Sequence, residues 1–169
     1  MLNKIIILFL ITLNFVISKA HSNDQINFDV SEIEILDGGN KIIGKNRGTI
    51  TTDNGIMIEA DEFEFDKLKN ILKAQGNIKI KDEVNNYNFL AQNILYNKNK
   101  EKIKVLGKSE ALIDINFEFK AENIEILRNE MIITSDKGAI ILDNINQTQY
   151  KIGKFSYTLK EKILKGEEI

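Results

Sequence analysis

Cysteine, proline and tryptophan are all absent from this 169-residue chain, and histidine occurs once. Without cysteine there is no disulfide framework, no thiol nucleophile and no thiolate metal site. The lone His21 removes Ser-His-Asp and Cys-His arrangements and any multi-histidine metal centre. No metal and no cofactor is expected. The lack of proline means that strand edges are not blunted by that residue. A basic surplus is missing too: 23 Lys and Arg stand against 25 Asp and Glu, a net charge of −2. Binding to a nucleic-acid backbone needs clustered positive charge, so nucleic acid is not an expected partner.

A long apolar run occurs only at the N-terminus. Met1 to Lys4 gives a short positive start, and Ile5 to Ile17 is apolar except for Thr12 and Asn14. Ser18 and Ala20 then supply the small residues of a cleavage site, the anatomy of a secretory signal peptide. A membrane span needs ~20 apolar residues, more than this run offers. The expectation is export, cleavage after Ala20, and a single domain over residues 21–169. Removing Lys4 and Lys19 leaves 21 basic against 25 acidic side chains, a net charge near −4.

Within that domain one short phrase returns. Ala60-Asp61 with Phe63 and Phe65, followed by Ala74, Gly76, Ile78 and Ile80, comes back as Ala91 with Ile94, Tyr96 and Gly107. It recurs as Ala121 with Ile124, Ile126 and Gly138. The alanines step by 31 and 30 residues and the glycines by 31 and 31. A fixed period of this length means stacked copies of one supersecondary unit. Each copy alternates polar and apolar residues, as in Glu62–Phe65 and Asn77–Lys81, the signature of strands with one buried face. Polar turns separate the strands at Asp66–Asn70, Asn97–Glu101 and Arg128–Glu130.

The unit is thus a hairpin of about 31 residues. Ile58 and Ala60 share one parity while Phe63 and Phe65 share the other, and Phe89/Ala91 against Ile94/Tyr96 repeats the shift. Keeping one face buried across such a step requires a β-bulge, which bends the strand and favours a curved sheet. No helix is expected; Leu68–Ala74 is the best candidate and is too short to stand alone.

These residues resemble the OstA-like repeat of the lipopolysaccharide transport proteins, found in LptA and in the N-terminal periplasmic domain of LptD. The match runs from about Phe28 to Ile169, and the ending from Tyr150 to Gly166 looks more like the LptD-type domain. Gln92 and Glu122 depart from the family's Asp after alanine. The resemblance implies an all-β fold, a curved antiparallel β-jellyroll open at both ends, with an apolar interior that holds lipid acyl chains. It implies lipopolysaccharide, through its lipid A, as cargo, a periplasmic location that includes association with the outer membrane, and no enzymatic activity. It also implies partners of the same jellyroll type, joined by edge strands at Phe28–Leu36 and Phe155–Leu164, with self-association by the same route.

The residues expected to line the roll are Phe63, Phe65, Ile78, Ile80, Ile94, Tyr96, Val105, Phe119, Ile124, Ile126, Ile133 and Ile140. Two other readings stay open on the residues: that these side chains fill a dry core in a structural module, or that a carboxylate pair serves carbohydrate chemistry. Carboxylates such as Asp61, Glu62 and Glu64 read as a solvated strand face. Lys98, Lys100, Lys102 and Lys104 read as a solvated turn, with contact to lipid A phosphates as the alternative. Shielding ~10 methylenes from water is worth on the order of 8 kcal/mol. Exchange between two similar grooves is near neutral, so such a protein shelters lipid without driving its movement.

Overall fold

A computed structural model describes residues 26–113 and 116–167. The expected signal segment, its cleavage site and His21 lie outside these residues. Fifteen strands follow one another: β1 (Ile26–Leu36), β2 (Lys41–Thr52), β3 (Ile56–Ala60), β4 (Glu62–Asp66), β5 (Ile71–Asp82), β6 (Tyr87–Asn97), β7 (Lys102–Leu106) and β8 (Lys108–Ile113) come first. Then come β9 (Phe117–Glu122), β10 (Glu125–Leu127), β11 (Ile132–Ser135), β12 (Ala139–Asp143), β13 (Thr148–Ile152), β14 (Lys154–Thr158) and β15 (Ile163–Glu167). All pairings are antiparallel. No α-helix occurs among the described residues; Leu68–Ala74 runs from a turn into β5, and the two 3-10 segments are three-residue turns at Asp37–Gly39 and Lys98–Lys100.

The sheet folds over on itself. Long strands serve both halves: β2 pairs with β4 through Lys41–Gly44 and with β3 through Gly48–Thr51. Likewise β6 pairs with β7 through Asn93–Asn97 and with β8 through Tyr87–Leu90. One half-sheet therefore contains β3, β8, β9, β12 and β13, the other β4, β7, β10, β11, β14 and β15, with β1, β2, β5 and β6 crossing between them. Rings meet across the interior, with Phe119 of β9 lying 5.5 Å from both Phe155 and Tyr157 of β14. This is the antiparallel β-jellyroll that the family resemblance implied.

The bend falls at the expected bulges. β3 ends at Ala60 and β4 starts at Glu62, while the β5–β6 register slips between Gln75 and Ile78. Gly76 has φ of +79°, and a Cβ there would come within 2.5 Å of the Asp61 carboxylate. Only glycine fits that backbone and that approach.

One edge is as expected and the other differs. Among the described residues β1 pairs only with β2 and forms the N-terminal edge. At the other end, β14 is paired on both sides, by β11 and β15. The Phe155–Leu164 segment is therefore mostly interior to the sheet. The terminal strands are β15 in one half and β13 in the other, because the chain returns once more after Thr158.

Candidate functional site

The apolar interior between the half-sheets is the first candidate. Of the twelve residues expected to line it, Phe63, Phe65, Ile78, Ile80, Ile94, Tyr96, Val105, Phe119, Ile124, Ile126 and Ile133 are buried together in one cluster. Ile140 is not among them. It lies on the outer face, 37% exposed, while Ala139 and Ile141 point inward. The reason is local: Gly76 and Gly107 stand in frame with the buried positions of their strands, between Ala74 and Ile78 and between Val105 and Ser109, whereas Gly138 stands one residue out of frame between Ser135 and Ala139. Counting two residues on from glycine therefore lands inside at Ile78 and outside at Ile140.

Sequence reading missed several members of the cluster, including Leu72, Tyr87, Phe89, Ile103, Phe155 and Tyr157. Their alternation with exposed neighbours was a usable signal, as in Tyr87-Asn88-Phe89-Leu90. In the described state these side chains fill the interior against one another. Grooves of about 700 Å³ and 1100 Å³ lie instead on outer faces near the bend, the larger around Lys79, Leu90, Lys120 and Ile140.

The inner face continues past its cover at the N-terminal end. On β1, Ile33 pairs with Gly44 and Ile35 with Ile42, placing both beside buried positions. Yet Ile33 is 51% and Ile35 62% exposed. Phe28 and Val30 of the same strand pack partly against the core, with the Phe28 ring 6.1 Å from that of Phe65. An apolar face that runs uncovered out of a sheet end marks a contact surface rather than a scattered exposed residue.

A second feature was not expected at all. Where the tips of the half-sheets meet, a polar clasp joins them. Arg128, on the β10–β11 turn, donates Nε to Asp82 at 2.9 Å and Nη2 to the Asn54 carbonyl at 3.0 Å. Its Nη1 binds Glu101, which also accepts from the Tyr96 hydroxyl at 2.8 Å and the Asn54 amide at 2.8 Å. Asp82 and Asn54 come from one half-sheet, Arg128, Glu101 and Tyr96 from the other. Arg128 and Asp82 are buried, so each charge needs the other.

The electrostatics follow. Burial pushes the Asp82 carboxyl up, but its bonds from Asn85 and the charge of Arg128 outweigh this and hold it below the ordinary range. Burial works against the charge on Arg128, yet its bond to Asp82 prevails and raises it further. Burial is also the main reason that the Tyr87 and Tyr96 hydroxyls titrate well above the usual tyrosine value. The Tyr87 hydroxyl is fully enclosed beside Asp82 and Arg128 and forms no hydrogen bond of ordinary geometry to either. No local sequence pattern announces this cluster, because its members come from four separate turns.

The lysine cluster is only in part the solvated turn expected. Lys98 is buried and pairs with Asp53 at 3.2 Å, again across the two half-sheets. Lys102 and Lys104 share Glu125 at 2.6 and 3.0 Å. Lys100 and Lys104 keep the expected exposed position. Among the described residues no group of three or more His, Cys, Asp or Glu is placed to hold a metal ion.

With this geometry in view, comparison with known proteins gives one kind of answer. No protein-family model matches the sequence, and none of the curated proteins matches it either. Solved structures do match in shape. One is LptH from Pseudomonas aeruginosa, the LptA-homologous periplasmic component of the lipopolysaccharide transport device of that organism. It superposes with a TM-score of 0.58 at 14% identity, over 69% of this chain and 85% of LptH. The shared property is the fold. The likeness is to an LptA homologue, and it does not bear on the LptD-like character of the ending.

Proposed function

We propose that this chain is a periplasmic lipopolysaccharide transport component of the LptA type. It shelters lipid A acyl chains between its half-sheets and hands them to the next jellyroll on the way to the outer membrane. The observation that carries this reading is the inner apolar face emerging uncovered at β1, where Ile33 and Ile35 are more than half exposed. Such a surface suits either the tails of an amphiphile or the continuing face of another jellyroll. The fold shared with LptH and the N-terminal segment that reads as an export signal support it.

In this role the protein does no chemistry. Acyl chains entering the roll exchange one apolar surface for another, so binding shields them without providing directional force. The Phe119, Phe155 and Tyr157 rings must move apart to admit a chain, because they are in mutual contact in the closed state. Neighbouring copies, or related jellyrolls, would join through β1 and the C-terminal strands.

That same ring contact favours a second reading, in which the roll is a filled structural module serving protein contacts alone. A single substitution separates them. Phe119→Glu is examined by circular dichroism and by displacement of a fluorescent fatty acid with lipopolysaccharide. Retained β-structure with lost displacement supports the transport role. Simple unfolding supports the filled module, and retained fold with unchanged displacement contradicts the interior as the lipid site.

A further inference from the structure

Arg128 is an unusual charge to place at the end of a packed apolar interior. It is buried, and of its two carboxylate partners Asp82 is sealed in while Glu101 caps the three-residue 3-10 turn and keeps part of its surface in water. Beside it the Tyr87 hydroxyl is enclosed against Asp82 and Arg128 without a well-formed hydrogen bond to either, an arrangement that costs free energy. A buried cation with one displaceable carboxylate, a poorly bonded hydroxyl and an apolar interior behind both make a recognisable combination. It fits a molecule with an anionic head and hydrocarbon tails.

We propose that Arg128 and Tyr87 form a headgroup site, in which the phosphate or carboxylate of an amphiphile takes the place of Glu101 on Arg128 and accepts a hydrogen bond from Tyr87. Asp82 stays bound to Nε and keeps the guanidinium oriented. An anion replaces an anion on Nη1, so the buried positive charge is never left alone. Releasing Glu101 also cuts its links to Asn54 and Tyr96. Head binding thereby loosens the clasp between the half-sheets, which is what the tails need in order to enter. This inference rests on the acyl-chain reading above and adds to it a defined residue pair for the head.

The test uses dodecyl phosphate and dodecyl maltoside, below micellar concentration, titrated calorimetrically into the exported protein. They share a tail and differ in head charge. The expected result is a preference for dodecyl phosphate of about tenfold or more, the worth of one charged hydrogen-bond set. Tyr87→Phe, which removes only a hydroxyl that makes no well-formed hydrogen bond and so keeps the fold, should reduce that preference. The paired replacement Arg128→Met with Asp82→Leu should abolish it while leaving dodecyl maltoside binding in place. Glu101→Gln should increase it. Equal binding of both amphiphiles by the wild type, or a preference that survives the paired replacement, overturns the headgroup site and leaves the acyl-chain reading standing. Binding of neither amphiphile overturns both.

Discussion

The side-chain amide of Asn77 donates to the Asp61 carboxylate at 2.7 Å, across the place where β4 and β5 bend. The same carboxylate receives Arg47 at 3.0 Å, and the Asp61 N–H donates to the Gly76 carbonyl at 3.0 Å. The recurring words of the sequence, alanine-aspartate and glycine-asparagine, are thus two halves of one joint. In the next copy Gln92 stands where aspartate would, and Asn123 takes over, accepting from the Gly107 N–H at 2.9 Å while its own N–H donates to the Gly107 carbonyl. The joint persists with different chemistry.

Two alanine substitutions should therefore behave in opposite ways. Gly76→Ala forces a side chain onto left-handed backbone and against Asp61, and should destabilise by more than ~1 kcal/mol. At Gly138 an added Cβ would meet its nearest neighbour, the Ile152 carbonyl, at an ordinary 3.7 Å. Gly138→Ala should be neutral or slightly stabilising. Urea unfolding of the two variants checks the difference.

The clasp predicts strong non-additivity. Arg128→Ala leaves Asp82 buried without its cation and should cost about 3–5 kcal/mol. Arg128→Met together with Asp82→Leu should recover most of that loss, since an apolar pair of similar volume no longer carries buried charge. A double-mutant cycle on thermal stability measures the coupling; simple addition of the two losses would mean the pair is not coupled as described.

Acid should find the same place. The Asp82 carboxyl is held below its unfolded value, so its contribution is fully present above about pH 4 and is lost as pH falls through the lower folded value. Asp82→Asn should flatten the fall in melting temperature on the acid side of pH 4 while lowering it near neutrality. Glu64 and Glu125 are depressed by their lysine partners too, Glu64 chiefly by Lys73 and Glu125 chiefly by Lys102. Both lie at the surface, where such pairs add little.

What the sequence disclosed and what it hid have a common physical basis. Alternation within a strand is local, so β-structure, turns and eleven interior positions were legible from the repeat alone. The spacing of the glycines does not state which of them stands in frame with the buried side chains; Gly76 and Gly107 do and Gly138 is one residue off, hence Ile140 was misplaced. Long-range polar contacts leave no period at all. Asn54, Asp82, Glu101 and Arg128 meet only because two half-sheets close over one another, and Lys98 looked solvated because Asp53 is remote in sequence.

The exposed end of β1 predicts association. Ile33→Glu with Ile35→Glu should leave the fold intact, since both side chains are largely in water in the single chain. Sedimentation velocity should show concentration-dependent assembly of the wild type and its loss in this variant. A wild type that stays monomeric at high concentration would contradict end-to-end joining.

The central claim, that acyl chains lodge between the half-sheets, is tested most directly by site-specific photo-crosslinking. A benzophenone side chain is placed at Phe119 or Phe28 on the inner face and at Leu112 on the outer face, in the exported protein, and illuminated with lipopolysaccharide. The account predicts adducts from Phe119 and Phe28 and none from Leu112. Adducts from Leu112 alone, or from no position in a folded protein, would contradict it.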